Sequence, residues 1–237
     1  MYKKNDMTNR HIQYWVIPKQ KSGEFVAKME QVLDIYALTF DAMFPVVCMD
    51  EQPVQLFREV YGPIPATKNH PKRVDYEYER AGTASIFMFT EPLAGWRRVT
   101  ARKRRTMRDW AEEILQLLEV DYPFAKRVTL VCDNLNTHTI GVLYERFEAE
   151  TAHRLASRLH LVHTPKHGSW LNIAECELSA MTRQCVANRR FETLDALVWE
   201  VTAWSLASNL RQKGVDWQFT TPDARIKLRS LYPNIIE

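Results

Sequence analysis

The run Pro45-Val46-Val47-Cys48-Met49 is apolar without a break and stops at Asp50-Glu51. A strand with no polar face must be covered on both sides, so it belongs inside a sheet sandwiched between helices. Two further runs share this texture: Val128-Thr129-Leu130-Val131-Cys132, stopped by Asp133, and a shorter one over 159–162. Between the first and second lie two stretches rich in β-branched and aromatic residues, 83–90 and 96–100, joined by a turn from Pro92 to Gly95. Residues 61–82 carry Gly62, Pro63 and Pro65 and read as a loop.

Helical periodicity fills the intervals. Ser22 is placed to cap a helix with Phe25, Met29, Val32, Leu33 and Tyr36 on one face. The basic run opens a second helix, whose stripe is Met107, Trp110, Ala111, Ile114, Leu117 and Leu118. A helical region follows Asp133 to about residue 155, another helix starts at Trp170, and another covers 193–210. A last one is expected to be capped by Thr221 with Pro222 in first position. Three strands, then helix, strand, helix, strand and helix, predict an α/β fold with a mixed five-stranded sheet flanked by helices. That is the order of a ribonuclease H-like core. The divisions expected are an irregular arm over 1–21 with a linker helix to residue 40, the ribonuclease H-like domain over 41–212 and a helical tail over 213–237.

With 46% hydrophobic residues in 237, the chain can bury a full core. It has neither a run long enough to span a bilayer nor a signal-peptide pattern at its start, so a cytoplasmic protein with no membrane partner is expected. Cys48, Cys132, Cys176 and Cys185 lack zinc-site spacing and read as reduced thiols, three of them in apolar positions. The net charge of +3 does not announce a nucleic-acid binder. Local charge does more: Arg97, Arg98, Arg102, Lys103, Arg104, Arg105 and Arg108 place seven cations in twelve residues. Taken alone, such a run fits a solvated helix start as well as a DNA-backbone contact. Arg183, Arg189 and Arg190 form a smaller patch.

Asp50 and Asp133 close strands, and the helix after the fifth strand carries Glu175 and Glu177. Carboxylates at neighbouring strand ends, joined by one from a helix across them, supply the hard oxygen ligands that Mg2+ requires. Two such ions could activate a nucleophile and stabilise the leaving oxygen of a phosphodiester. Each glutamate flanks the buried stripe Leu171, Ala174, Leu178, Met181 and Cys185, so periodicity alone does not choose between them. The flank of Glu175 also holds Asn172 and Ser179, which favours it for a wet pocket. A lone Asp after an apolar strand is more often a turn former or a cap, so the combination carries the argument.

The segments VVCMDE at 46–51, D-N-x-x-x-H-T from Asp133 and S-W-L-N-x-x-E ending at Glu175 resemble the motifs of DDE transposases of bacterial insertion sequences, the mariner-related branch. The closing WQFTTPDARIKL is similar as well, and the resemblance covers about 40–233. It implies Asp50, Asp133 and Glu175 as the catalytic, metal-holding acids, two Mg2+ or Mn2+ ions, cleavage at transposon ends and transfer of the 3'-hydroxyl into target DNA. It also implies double-stranded DNA as partner, a homodimer on that DNA and residence with the bacterial nucleoid when bound. The L-N-x-x-E pattern selects Glu175 over Glu177.

His138 matches the motif histidine and, with Asn134 and Asn172, is expected to orient ligands or touch phosphate; His163 and His167 are weaker phosphate candidates. The family context turns Arg97, Arg98, Arg102, Lys103, Arg104, Arg105 and Lys166 toward DNA, and Trp170 toward the core. Forty-one residues separate Asp133 from Glu175, more than in the mariner proteins, and extra residues around 148–158 would accommodate them. Such families carry helix-turn-helix modules ahead of the catalytic domain, whereas only about 40 residues precede the first strand here. The chain therefore resembles the catalytic half alone, which fits one product of a split reading frame, a truncated element or a fragment, with a separate DNA-recognition polypeptide as one candidate partner. The rival readings are a silent DNA-binding or assembly remnant, and a general nuclease of the same fold.

Overall fold

The computed structural model describes residues 22–234, so the arm expected over 1–21 lies outside the described residues. Five strands form one sheet in the order β3-β2-β1-β4-β5: β1 Val46–Glu59, β2 Tyr78–Glu91, β3 Trp96–Arg102, β4 Val128–Cys132 and β5 Leu159–His163. β1, β2 and β3 run antiparallel, while β4 and β5 join β1 in parallel. Parallel neighbours require crossovers, and helices supply them: α2 Met107–Gln116 precedes β4, and α3 Gly141–Arg146 with α4 Ala149–Arg158 links β4 to β5. The helical region after Asp133 is thus two helices, broken at Phe147 and Glu148. The second of them is the stretch expected to absorb the long separation between Asp133 and Glu175.

Alternation along the strands divides the core in two. Val47, Met49, Phe87, Phe89, Leu130 and Cys132 face α2, α3 and α4. Cys48, Ile86, Met88 and Val131 face the other layer, made by α1 Gly23–Tyr36, α5 Ile173–Met181, α6 Leu194–Arg211 and α7 Thr221–Lys227. Ser22 caps α1 as expected, accepting from the Phe25 amide. α1 and α7 bury Met29, Val32, Leu33 and Ala224 in the same cluster as the sheet, so the linker helix and tail share the core of the central segment. Among the described residues no helix is long and apolar enough to cross a membrane.

Several boundaries differ from the sequence expectation. β1 does not end at Asp50 but continues to Glu59, because β2 pairs with it as far as Tyr78, inside the stretch read as a loop. β4 pairs with β1 only as far as Cys48. Beyond that point β1 has one open edge, where Pro53 is tolerated in a strand despite its missing N–H. The basic run does not open α2: Arg102 ends β3, the next three cations occupy a turn, and Thr106 caps the helix in a reciprocal box with Asp109. The helix expected from Trp170 is a single 3-10 turn, Ser169–Leu171, followed by α5 capped by Asn172. α7 is capped by Thr220 rather than Thr221, which moves Pro222 into its first turn.

Candidate active site

Asp50 sits on β1 two residues beyond the last residue paired with β4, and Asp133 is the first residue after β4. The parallel pairing therefore brings the two acids side by side where the β1 and β4 ladder stops. α5 lies over the same sheet face as Cys48 and carries Glu175 in its first turn. Asp50 Oδ1 accepts one hydrogen bond, from the Glu51 amide at 2.8 Å. Burial lifts the Asp50 carboxyl from its ordinary 3.8 to about 7; the Glu51 amide opposes the rise, and the charges of Asp133, Glu175 and Glu51 add to it. The charges of Asp133 and Glu175 thus both bear on the Asp50 carboxyl. Among the described residues, no three His, Cys, Asp or Glu side chains stand close enough in this arrangement to cage a metal ion.

The raised Asp50 value has a measurable consequence. Between about pH 4 and pH 7 the folded chain holds a proton that the unfolded chain has lost, so metal-free stability falls as pH rises through this window. Asp50→Asn removes the conflict. It is expected to raise metal-free stability by ~2 kcal/mol at pH 8 and to leave it unchanged near pH 4, as read by denaturant unfolding at both values.

The docking of α5 decides which glutamate is presented. Asn172 donates from Nδ2 to the Met49 carbonyl at 2.9 Å and accepts from the Ala174 amide at 3.1 Å. One buried side chain therefore caps α5 and ties its start to the residue before Asp50. The sequence expectation that Asn172 faces ligands or water is corrected: its amide is spent on backbone. Tyr36 reinforces the junction by donating to the Leu171 carbonyl at 2.7 Å. Asn172→Ala is expected to cost about 2 kcal/mol by combining a lost cap with an unpaired buried carbonyl; urea unfolding at constant m-value checks it.

Glu177, the competing glutamate, is buried and forked by Arg97, with Nε to Oε2 at 2.6 Å and Nη2 to Oε1 at 2.7 Å. The remaining Arg97 donors go to the Gly95 and Lys213 carbonyls, and Asn209 and Ser205 hold its backbone. Glu177 is a structural anchor, while Glu175 is half-buried in the first turn of α5.

His138 is buried and stacks on Trp110, with ring centroids 5.6 Å apart. Its Nε2 lies 3.1 Å from Glu51 Oε1 and its Nδ1 lies 2.8 Å from Asp133 Oδ1. Burial disfavours charge on the ring, but its contacts with Asp133, Cys132 and Glu51 prevail and push its pKa up to about 12. The contact with Asp133 is an ion pair off the hydrogen-bond axis, since Nδ1 also meets the Asp133 carbonyl oxygen at 3.4 Å. Oδ1 is consequently a buried oxygen that accepts no hydrogen bond. With Oδ1 held by the imidazole, the other oxygen of this carboxylate, whose side chain is 37% accessible, is the donor that beside two more acids suits a hard divalent cation. His163 supports the same corner, its Nε2 lying 2.9 Å from the His138 carbonyl oxygen. Asn134 and His167 are exposed, and Trp170 is half-buried, edge-on to Phe219.

The basic cluster splits in two. Arg97 and Arg98 point inward, contrary to the expectation that they meet DNA: Arg97 is spent on Glu177, while Arg98 pairs with Glu113 and Asp121 and lies over the Phe89 ring. Arg102 is drawn to the same buried Glu113, with Nε to Oε1 at 2.6 Å, and is corrected likewise. Buried carboxylates bind these guanidiniums because an unpaired charge there would be costly. Lys103, Arg104, Arg105 and Arg108 are exposed between β3 and the first turn of α2. Arg105 Nη1 stands 4.0 Å from Glu51 Oε2, which sets this turn beside the acidic centre. Lys166 is exposed in the turn that leads to α5. Sequence reasoning missed Glu51, Trp110 and the inward arginines; the alternation of β3, where a cation follows Trp96 on each face, was the available signal for the last.

The mixed five-stranded sheet flanked by helices is a ribonuclease H-like fold. The model of the DDE superfamily endonuclease matches residues 45–198, more than half of the chain, and the chain belongs to that family. No curated protein matches it. Among solved structures it is similar to the Mos1 mariner paired end complex with Mn, at 14% identity and a TM-score of 0.53, covering 87% of this chain and 63% of that one. It is likewise similar to the Mos1 strand transfer complex, at 13% identity and a TM-score of 0.56, covering 85% and 60%. The Mos1 paired end complex with Mg matches at 12% identity and a TM-score of 0.54, covering 96% and 68%. The chain therefore shares the fold of these proteins and spans about three fifths of the length of the first two.

Proposed function

We propose that this chain is a transposase catalytic domain that cleaves phosphodiester bonds at transposon ends and transfers the resulting 3'-hydroxyl into target DNA. The observation that carries the reading is the placement of Asp50 on β1, Asp133 directly after β4 and Glu175 in the first turn of α5, at the place where the β1 and β4 ladder stops. Asp50, Asp133 and Glu175 would hold the divalent cations, Mg2+ or Mn2+, which when bound supply Lewis-acid stabilisation of charge on the phosphodiester oxygens. The similarity to Mos1 complexes solved with Mn and with Mg supports this choice of metal.

The chain's own residues do the rest. β1 and α5 hold two acids on rigid elements, locked together by Asn172, and His138 holds the third against the end of β4. The exposed turn at Lys103, Arg104 and Arg105, with Lys166 in the turn before α5, faces DNA phosphates and sets the duplex over the acids. Two copies act on paired ends, as the Mos1 paired end complexes suggest. A supercoiled plasmid carrying two transposon ends tests the reading: cleavage at the ends with Mg2+, abolished by chelation, is expected, and metal-independent cleavage overturns it.

Replacing Lys103, Arg104 and Arg105 together with Ala is expected to flatten the plot of log affinity against log salt by up to ~3. An unchanged slope, measured by fluorescence anisotropy with duplex DNA, would move the DNA path to another face.

A further inference from the structure

Glu51 follows Asp50 on β1, and strand alternation turns its side chain to the opposite face of the sheet, toward α2 and Trp110. There it is almost wholly buried, with 4% of the side chain accessible, and its Oε1 lies 3.1 Å from His138 Nε2. The other ring nitrogen of His138 lies 2.8 Å from Asp133 Oδ1, and Trp110 stacks on the ring to fix its plane. The backbone of Glu51 also donates its N–H to Asp50 Oδ1 at 2.8 Å. Glu51 is therefore joined to two of the three acids, to one through its amide and to the other through an imidazole.

We propose that Glu51 is a positioning residue of the metal centre: by holding His138 against Asp133 it sets the orientation of a carboxylate that it does not touch. The proposal rests on the metal-holding role of Asp50, Asp133 and Glu175 given above. A ring with both nitrogens engaged can neither flip nor swing, so Asp133 keeps one oxygen toward the histidine and presents the other to the pocket. Without the acceptor at position 51 the Nε2 hydrogen would be buried unpaired, and the ring would turn to find another partner. Outer groups of this kind, a carboxylate behind an imidazole, typically change metal affinity by about 10- to 100-fold.

The test is Mn2+ binding to the metal-free chain, read by the electron paramagnetic resonance signal of free Mn2+. Glu51→Gln keeps an acceptor oxygen for His138 and is expected to bind within about 3-fold of the unaltered chain, whereas Glu51→Leu fills the space without an acceptor and is expected to bind about 10-fold more weakly. In a His138→Ala background the two substitutions should give the same affinity, since the residue through which Glu51 acts is gone. If Glu51→Leu does not fold, Glu51→Asp, which withdraws the carboxylate by one methylene, takes its place with the same expectation. Equal binding by the Gln and Leu variants with His138 present, or a difference that survives its removal, overturns the proposal. Failure of the unaltered chain to bind Mn2+ at all would instead remove the metal reading on which it stands.

Discussion

Asp133→Asn is expected to lower strand transfer by on the order of 10^3-fold or more, with Asp50→Asn and Glu175→Gln doing the same singly and little more in combination. On the proposed reading each carboxylate supplies part of one shared site, so removing any one should disable the whole and the losses should not add. A factor of 10^3 corresponds to ~4 kcal/mol of lost transition-state stabilisation, which is reasonable for a charge aimed at developing phosphoryl charge in a partly dry site. The unfolding midpoints should separate chemistry from folding, because Asp50→Asn and Glu175→Gln relieve repulsion around Asp50 and should leave the metal-free chain as stable or more so at pH 8, whereas Asp133→Asn also removes the ion-pair partner of the buried His138 and is expected to cost stability. Single-turnover kinetics on pre-cleaved ends measures the effect. Glu177→Gln serves as contrast: its expected damage is to stability, since its carboxylate is committed to Arg97.

The second large effect concerns that pair. Arg97→Met is expected to destabilise the fold by about 3–5 kcal/mol, because it leaves Glu177 buried without its partner. For a domain of this size such a loss lowers the melting temperature by about 10 °C. The double substitution Arg97→Met with Glu177→Leu should recover most of it, since a buried ion pair and an apolar pair of similar volume are close in energy. Thermal unfolding of the two singles and the double gives the coupling directly. The pair ties α5, β3 and the segment after α6 at a point two residues from Glu175, so the arginine single should also slow catalysis where it remains folded.

The strands with two apolar faces were legible because full burial leaves no choice of residue type, as at 46–49 and 128–132. The candidate acids stand out in the sequence because they follow those apolar runs and fall in spaced motifs. The length of β1 was not: Gln52, Pro53 and Gln55 carry weak strand propensity, and only pairing with β2 holds them extended. The same tertiary pairing drew residues from Tyr78 onward out of a presumed loop. Charge was the least legible feature. Arg97, Arg98 and Arg105 are alike in sequence, yet Glu177, Glu113 and Asp121 claim the first two while the third stays at the surface. Each deciding partner except Glu113 and Asp121 is remote along the chain, and even those two reveal their role only once α2 lies across β3. Glu51 was hidden for a similar reason, since its partner His138 comes from another strand's loop.

The most direct test of the three-acid centre is the incubation of the chain with pre-cleaved transposon-end DNA and a target plasmid across a Mg2+ titration. The account predicts joined end-to-target products that rise with Mg2+ and vanish in Asp50→Asn, Asp133→Asn and Glu175→Gln alike. Full joining by any one of these three variants, or nicked target with no joined strands from the unaltered chain, would contradict it.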